Sequence, residues 1–374
     1  MNTELKKYIH FEKTELIWSV EDNSPAILER LNKNDPEAIE IINELDLARQ
    51  TPILNTLLEF NEKYIVRPAG SRRAYYLRLN SGGVIAIKGS EIRNNGLHLM
   101  LEEDAKKKLS NRPWTRFENF IFREQKLPLA MTLKEAIEDN TSSEKFQSKI
   151  LSLFNELEQA PVPLFVSKWS KNAVDEYKNI IMPHMNKRAK DIIEPLIDMN
   201  GLGTSIYYYE HVPHRIRFSL PKSTSSFQER ISFFKNGRNK EMSFDPILSC
   251  NNLIKITTKM LIAGLLPLSF HDHGIGQCIA PQNVTLKGGL TDMGSIYSFD
   301  EVKDENEFNQ LFLSMIVMLT ATLREFLVTP MQILEYEFPE PSTLSVLLTK
   351  HIWDRLRYYF NHYNQKIESK NLIR

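Results

Sequence analysis

The chain has 374 residues, which is long enough for two domains or for one two-lobed unit with a large core. Its 47 lysine and arginine residues equal its 47 aspartate and glutamate residues, so no whole-chain field indicates nucleic acid or acidic lipid as a partner. The two cysteines, Cys250 and Cys278, are too few for a disulfide framework, and residues 1–15 lack an apolar signal segment, so we predict a cytoplasmic protein.

The first 63 residues alternate charged and apolar positions and contain no pattern that indicates a catalytic or ligand-binding site. Asp35-Pro36-Glu37 is typical of a helix start, with proline in the first helical position and an acid in the first turn. We predict a helical extension over residues 1–63, a small lobe over 64–212 and a mainly helical large lobe over 213–374. The fold class is therefore α+β.

The hydrophobic period changes to that of strands after Tyr64. Two β-rich runs surround the turn Ser81-Gly82-Gly83, which predicts an antiparallel hairpin. The second run, Val84-Ile85-Ala86-Ile87-Lys88, is similar to the protein-kinase strand that carries the phosphate-binding lysine. Arg72, in the basic turn before the hairpin, is a second candidate for nucleotide contact. A solvated lysine at a strand end and an ordinary exposed turn would give the same pattern.

A helix is indicated by the apolar spacing within residues 112–133. A glutamate on such a helix would orient Lys88 toward phosphates, as in kinases. Glu118 is the first candidate and Glu124 the second, and a solvated surface carboxylate is the alternative for each. Residues 132–157 then have the pattern of an amphipathic helix pair without a site.

The middle of the chain alternates strands and helices. The predicted elements are a strand from Pro161 to Trp169, a helical region from Lys171 to Met199 that breaks at Met182-Pro183-His184, and a strand from Thr204 to Tyr209. Ile216 then alternates with Arg215 and Arg217. We expect Arg217 to contact phosphate, with an exposed, alternately charged strand as the other interpretation.

Three long apolar helices are predicted for the large lobe: Asp245 to Phe270, Asn306 to Leu327 and Ser342 to Asn361. The longest uncharged run, Asn309 to Leu323, is too short and too polar to span a bilayer, so a buried helix and no membrane contact are expected.

The stretch from Phe270 to Asp300 contains the strongest indication of chemistry. Asn283 precedes a short apolar run, a turn follows at Lys287-Gly288-Gly289, and Asp292 comes after the returning run. A hairpin of this kind brings the Asn283 amide oxygen and the Asp292 carboxylate to the same end. Two hard oxygen ligands suit Mg²⁺ bound to a nucleotide phosphate.

Taken together, these segments resemble the selenoprotein O-like proteins, which have a kinase-like fold. The resemblance is carried by Ile87-Lys88-Gly89, by Val212 to Phe218 (V-P-H-R-I-R-F), and by Asn283 and Asp292 nine positions apart. It implies a two-lobed fold that binds ATP in a flipped orientation with Mg²⁺ and transfers AMP to a protein hydroxyl. Lys88 and Arg217 would then contact the nucleotide, and Asn283 and Asp292 would hold the metal.

The chain departs from this family where the catalytic base is expected. An aspartate precedes the metal-binding asparagine in the family, and Gln282 stands at that position here. Asp272 or His273 would have to accept the proton of the hydroxyl instead, since either side chain can act as a general base.

Other functions fit the same residues. His271, Asp272 and His273 with Cys278 have spacing that a zinc site would also show. An ATP-dependent ligase of siderophore-synthetase type would adenylate a carboxylate, and a pseudokinase would keep the nucleotide pocket and act as a scaffold. Our prediction is an ATP–Mg²⁺-dependent transferase that moves AMP or phosphate to a hydroxyl of a protein or small molecule that the sequence does not identify.

Overall fold

The computed structural model describes residues 9–54, 64–66, 73–90, 121, 126–216, 245–271, 274–333 and 341–371. The chain divides into two compact units. The first comprises Met1–Arg67, Ser71–Thr141 and Val162–His211, and the second comprises Pro68–Gly70, Ser142–Pro161 and Val212–Arg374.

The first unit is built on an antiparallel sheet. Its described strands are β1 (Ile9–Lys13), β2 (Glu15–Ser19), β3 (Gln50–Leu54), β4 (Ile65–Val66), β5 (Ala74–Arg78), β6 (Val84–Lys88), β7 (Met131–Thr132), β8 (Val162–Lys168) and β9 (Leu202–Tyr209). Seven of them form one sheet in the order β2-β8-β9-β6-β5-β4, with β7 also pairing with β9, and β1 pairs with β3 separately. Every residue of β9 is buried, as expected for a strand inside a sheet.

The predicted hairpin around Ser81-Gly82-Gly83 is present. β5 and β6 pair from Ala74 opposite Lys88 to Arg78 opposite Val84. Gly82 lies in the left-handed region at φ 94°, which a side chain would disfavour, so the turn depends on glycine there. β6 also pairs with β9, which places Lys88 at the end of an interior strand.

The helices of the first unit lie between its strands in the chain. They are α1 (Val20–Asn23), α2 (Pro25–Asn34), α3 (Pro36–Glu44), the beginning of α4 (Leu133–Phe154), α5 (Lys171–Ile181) and α6 (Lys187–Asn200). The predicted start of α3 is confirmed, since Asp35 accepts a hydrogen bond from the Ala38 amide at 3.3 Å. A 3₁₀ turn at Met182–His184 separates α5 from α6, where the proline predicted a break.

Two segments of the first unit differ from the sequence prediction. The N-terminal region contains β1, β2 and β3 as well as helices, and β2 joins the main sheet by pairing with β8. Its apolar positions alternate with charged ones over short distances, which suits half-buried strands as well as it suits helices. Residues 133–154 form one continuous helix in place of the expected pair.

The second unit is mainly helical. It contains the end of α4, α7 (Pro246–Ile262), α8 (Glu305–Ile333) and α9 (Pro341–Asn371), with the short strands β10 (Leu265–Leu266), β11 (Leu268–His271), β12 (Gly274–Gln277) and β13 (Tyr297–Ser298). One core is formed by buried residues of α4, α7, α8 and α9 and of the segment between α7 and α8.

Helix α8 is apolar along much of its length. Glu305–Leu327 is long and apolar enough to cross a membrane by length and composition. One face of it, including Leu311, Met315 and Leu319, is buried in the core of the second unit. Burial of this kind is also found in the central helix of a globular domain.

Helix α7 ends earlier than the sequence suggested. The uncharged run to Phe270 predicted one long helix, but the helix ends at Ile262 and residues 265–266 and 268–271 form strands. Gly264 has φ 70°, a left-handed conformation that commonly terminates helices, and Pro267 prevents continuation. The apolar composition therefore predicted the burial of this run correctly but overestimated the length of the helix.

Candidate functional site

Asn283 and Asp292 lie at the same end of a hairpin in the second unit. Val284 forms an antiparallel bridge with Leu290. The Thr291 amide donates to the Asn283 carbonyl at 2.8 Å, and the Thr291 hydroxyl donates to the same oxygen at 3.0 Å. This pairing places Asn283 opposite Thr291, one residue before Asp292, as the sequence pattern predicted.

The turn of this hairpin fits closely against α7. Gly288 has φ 81°, and a Cβ atom there would lie 2.2 Å from the Ser249 carbonyl oxygen, so only glycine can occupy the position. The Ser249 hydroxyl donates to the Leu286 carbonyl, and the Asn252 amide donates to the Lys287 carbonyl at 3.0 Å. These contacts fix the hairpin to a buried helix.

A third segment completes the support of the hairpin on its other side. The Ile216 amide donates to the Val284 carbonyl at 2.9 Å, and the Leu286 amide donates to the His214 carbonyl at 2.7 Å. The hairpin is therefore paired along its outer edge by the residues immediately before Arg217. Arg217 itself lies outside the described residues.

The oxygen donors of the hairpin fit Mg²⁺ better than zinc. Asn283 and Asp292 are half-buried, and Asp292 accepts a hydrogen bond from the Gly294 amide at 3.3 Å. An amide oxygen and a carboxylate would leave the remaining positions of a bound Mg²⁺ to water or to ligand oxygens, as is usual for this ion. Within the part of the chain that the structure describes, no group of three His, Cys, Asp or Glu residues is placed to bind a metal.

Cys278 is poorly suited to bind zinc. Its thiol is buried and donates to the Pro267 carbonyl at 3.2 Å. Burial, together with the charge of Asp292, raises the pKa of the Cys278 thiol. Since zinc is bound by the thiolate, these surroundings disfavour it as a ligand. Asp272 and His273, the proposed bases, lie outside the described residues.

Lys88 forms an ion pair with Asp139 of α4 in the first unit. The two side chains are only 19% and 15% exposed, so the pair is largely shielded from water. The expected partners, Glu118 and Glu124, lie outside the described residues. The carboxylate that the structure brings to Lys88 therefore comes from the helix after these candidates.

A second ion pair lies one helical turn away on α4. Arg73 is buried, and its guanidinium contacts both carboxylate oxygens of Glu135, at 2.7 Å and 3.1 Å. Burial alone would raise the pKa of Glu135, but Arg73, with smaller contributions from Lys126 and Lys88, lowers it to about 2. The carboxylate is thus ionised over the physiological range. Arg72, the other arginine of this turn, lies outside the described residues.

Sequence reasoning missed Glu135 and Asp139, although a signal was present. The two carboxylates are four residues apart at the start of a helix, and therefore on one face of it. Arg73 immediately precedes β5, whose first residue pairs with Lys88. A search for acids at helical spacing would have marked both as candidate partners of a cation. The sequence gives no distance between the acids and the cations, so pairing Glu135 with Arg73 and Asp139 with Lys88 requires the strand register.

Comparison with models of known protein families gave no match, and comparison with the sequences of curated proteins gave no significant match.

The hairpin also depends on a segment that Lys259 holds in place. The Gln159 carbonyl accepts a hydrogen bond from the Leu290 amide at 2.8 Å. Just before it, Glu156 and Glu158 contact the ammonium of Lys259, the former at 2.6 Å. Lys259 is only 8% exposed. Burial alone would lower the pKa of Lys259, but Glu158 and Glu156 outweigh burial and raise it.

The first prediction concerns the acid stability of the Arg73–Glu135 pair. A carboxylate whose folded pKa is about 2 instead of the usual 4.5 stabilises the fold fully above pH 4.5, and this contribution is lost as pH falls toward 2. Glu135→Gln should therefore cost about 3 kcal/mol near neutral pH and progressively less below pH 4.5, as measured by urea unfolding at each pH.

Glu138→Gln is the control for this experiment, because Glu138 lies on the same helix but is 63% exposed. We expect its effect to stay within about 0.5 kcal/mol. An unfolding free energy of Glu135→Gln that differs from wild type by the same amount at pH 7 and pH 3 would contradict the assigned charge state.

The second prediction concerns Lys259. Lys259→Met should destabilise the second unit by about 3 kcal/mol, because Glu158, which is 12% exposed, would lose its cationic partner. Lys145→Met is the matched control, since Lys145 and Glu301 form a 3.0 Å pair with both side chains at least 36% exposed. Its removal should cost less than about 1 kcal/mol in the same urea titration. Equal losses in the two variants would show that burial does not distinguish these pairs.

Proposed function

We propose that the protein is an ATP–Mg²⁺-dependent transferase that moves AMP, or alternatively phosphate, to a hydroxyl group. The observation that carries this proposal is the Lys88–Asp139 ion pair. Kinases hold a phosphate-binding lysine at a strand of an antiparallel sheet by pairing it with a carboxylate on a following helix. Lys88 on β6 and Asp139 on α4 reproduce that combination of elements in the same chain order.

The hairpin supports the metal-dependent part of the proposal. Asn283 and Asp292 supply an amide oxygen and a carboxylate at one end of two paired segments. They would hold Mg²⁺, and the bound metal would neutralise phosphate charge during transfer. Arg217 and Arg72 remain proposed nucleotide contacts.

The transfer step requires a base. The acceptor hydroxyl oxygen attacks the α-phosphorus, the bond to the β-phosphate oxygen breaks, and pyrophosphate leaves while the hydroxyl proton passes to the base. Transfer of the γ-phosphate would release ADP instead. Asp272 and His273 are the proposed bases, and the resemblance to selenoprotein O-like proteins favours AMP transfer over phosphate transfer.

A pseudokinase is the second candidate function. Gln282 occupies the position at which the resembling family has an aspartate, and an amide cannot accept the hydroxyl proton as a carboxylate does. A protein of this kind would bind ATP and present a partner-binding surface without turnover.

The third prediction tests both functions with ATP labelled in parallel at the α and γ positions. The purified protein, Mg²⁺ and a cell lysate as acceptor should give covalent label from the α position only. Asp292→Ala should reduce that label at least 100-fold because Mg²⁺ binding is lost. Asp300→Ala is the matched control, since Asp300 is an exposed aspartate of the same unit, and its labelling should equal that of wild type.

The other results separate the alternatives. Label from the γ position only would indicate a kinase, and absence of label with an ATP-dependent rise in melting temperature would indicate a pseudokinase. Lys88→Met should weaken ATP binding, whereas Lys134→Met, at an exposed lysine of α4, should not. Full labelling by a folded Asp292→Ala protein would refute the metal assignment.

A further inference from the structure

A cavity of about 500 Å³ lies in the second unit, lined by α7, α8, α9 and the 3₁₀ turn Phe299–Glu301 before α8. Its walls are mostly apolar, and five of the lining side chains are aromatic: Phe299, Phe308, Phe312, Trp353 and Phe360. Cavities of about 300–1,000 Å³ with apolar walls and a few polar groups are typical of small-molecule sites. The proposed nucleotide function does not use any of these residues.

Four of the aromatic rings form a continuous series along the wall. Phe299 meets Phe308 edge-on with ring centroids 5.3 Å apart, Phe308 stacks on Phe312 at 5.9 Å, and Phe312 contacts Trp353 at 5.7 Å. Phe299 nevertheless remains 37% exposed, and Trp353 and Phe360 are each 43% exposed. Three large aromatic side chains exposed to solvent around one cavity indicate a surface that binds a ligand or a partner.

The polar groups of the cavity indicate the charge of its ligand. Arg357 is the one charged residue among the described residues that line it, and none of them is acidic. Arg357 is exposed and lies four residues after Trp353 and three before Phe360, so the three share one face of α9. Asn364, which also lines the cavity, follows Phe360 by four residues, about one further turn of α9. An arginine beside apolar walls is complementary to an anion with an apolar body.

We propose that this cavity binds a small amphipathic carboxylate, with its apolar body against the aromatic wall and its carboxylate on Arg357. This goes beyond the nucleotide-dependent activity and does not depend on it. The volume of this open cavity suits a molecule of this size, whereas a second copy of the chain would need a much larger buried area than the cavity provides.

The experiment uses the full chain and displacement of the fluorescent anion 8-anilinonaphthalene-1-sulfonate. Decanoate, decanol and decyltrimethylammonium, each below its micelle concentration, serve as competitors. Decanoate should displace the probe at a lower concentration than decanol, by up to about fivefold, because an exposed ion pair contributes up to about 1 kcal/mol. Decanoate should also raise the melting temperature of the protein, because it binds the folded state. This result would show that the displacement does not arise from unfolded protein.

Variants locate the site. Arg357→Gln should abolish the preference for decanoate over decanol, whereas Arg324→Gln, at an exposed arginine of α8, should leave it unchanged. Ile262→Trp, which places a larger side chain in the lining, should reduce probe binding by tenfold or more. The proposal is overturned if wild type binds the three competitors equally, if Arg357→Gln keeps the preference, or if sedimentation shows that self-association alone covers the cavity and excludes the probe.

Discussion

The placement of two cations at the end of a sheet governs the structure of the first unit. Lys88 is the last residue of β6, Arg73 immediately precedes the adjacent strand β5, and each side chain is largely shielded from water. Buried cations are unstable unless an anion is close, so the helix that follows must present carboxylates to both. Glu135 and Asp139, four residues apart on α4, meet this requirement and thereby fix the rotation and register of the helix on the sheet.

The same helix also contributes to the second unit through its later residues. Phe146, Ile150 and Phe154 belong to the core that contains the buried faces of α7, α8 and α9. Immediately after the helix, the Lys259 cluster holds the segment whose Gln159 carbonyl receives the Leu290 amide. The buried Lys259 cluster and the packing of these helices therefore both support the hairpin that carries Asn283 and Asp292.

The local features were predictable because they depend on neighbouring residues. The β5–β6 hairpin followed from its glycine turn, and the pairing around Asn283 followed from two apolar runs with a Gly-Gly turn. The partner of Lys88 and the length of α7 were not predictable in the same way. Asp139 is 51 positions from Lys88, so their contact requires the strand order, and Gly264 ends α7 within a run whose composition gives no period.

Burying the charges of these ion pairs carries a desolvation cost. Apolar side chains of similar size usually stabilise an interior as well as a buried ion pair does, so stability alone does not require four shielded charges. The Lys88 ammonium donates a hydrogen bond to the Asp139 carboxylate, which orients the lysine side chain. Under the proposed function, an ammonium oriented at the end of an interior strand would meet phosphate oxygens, and this would give the buried pair a role beyond folding.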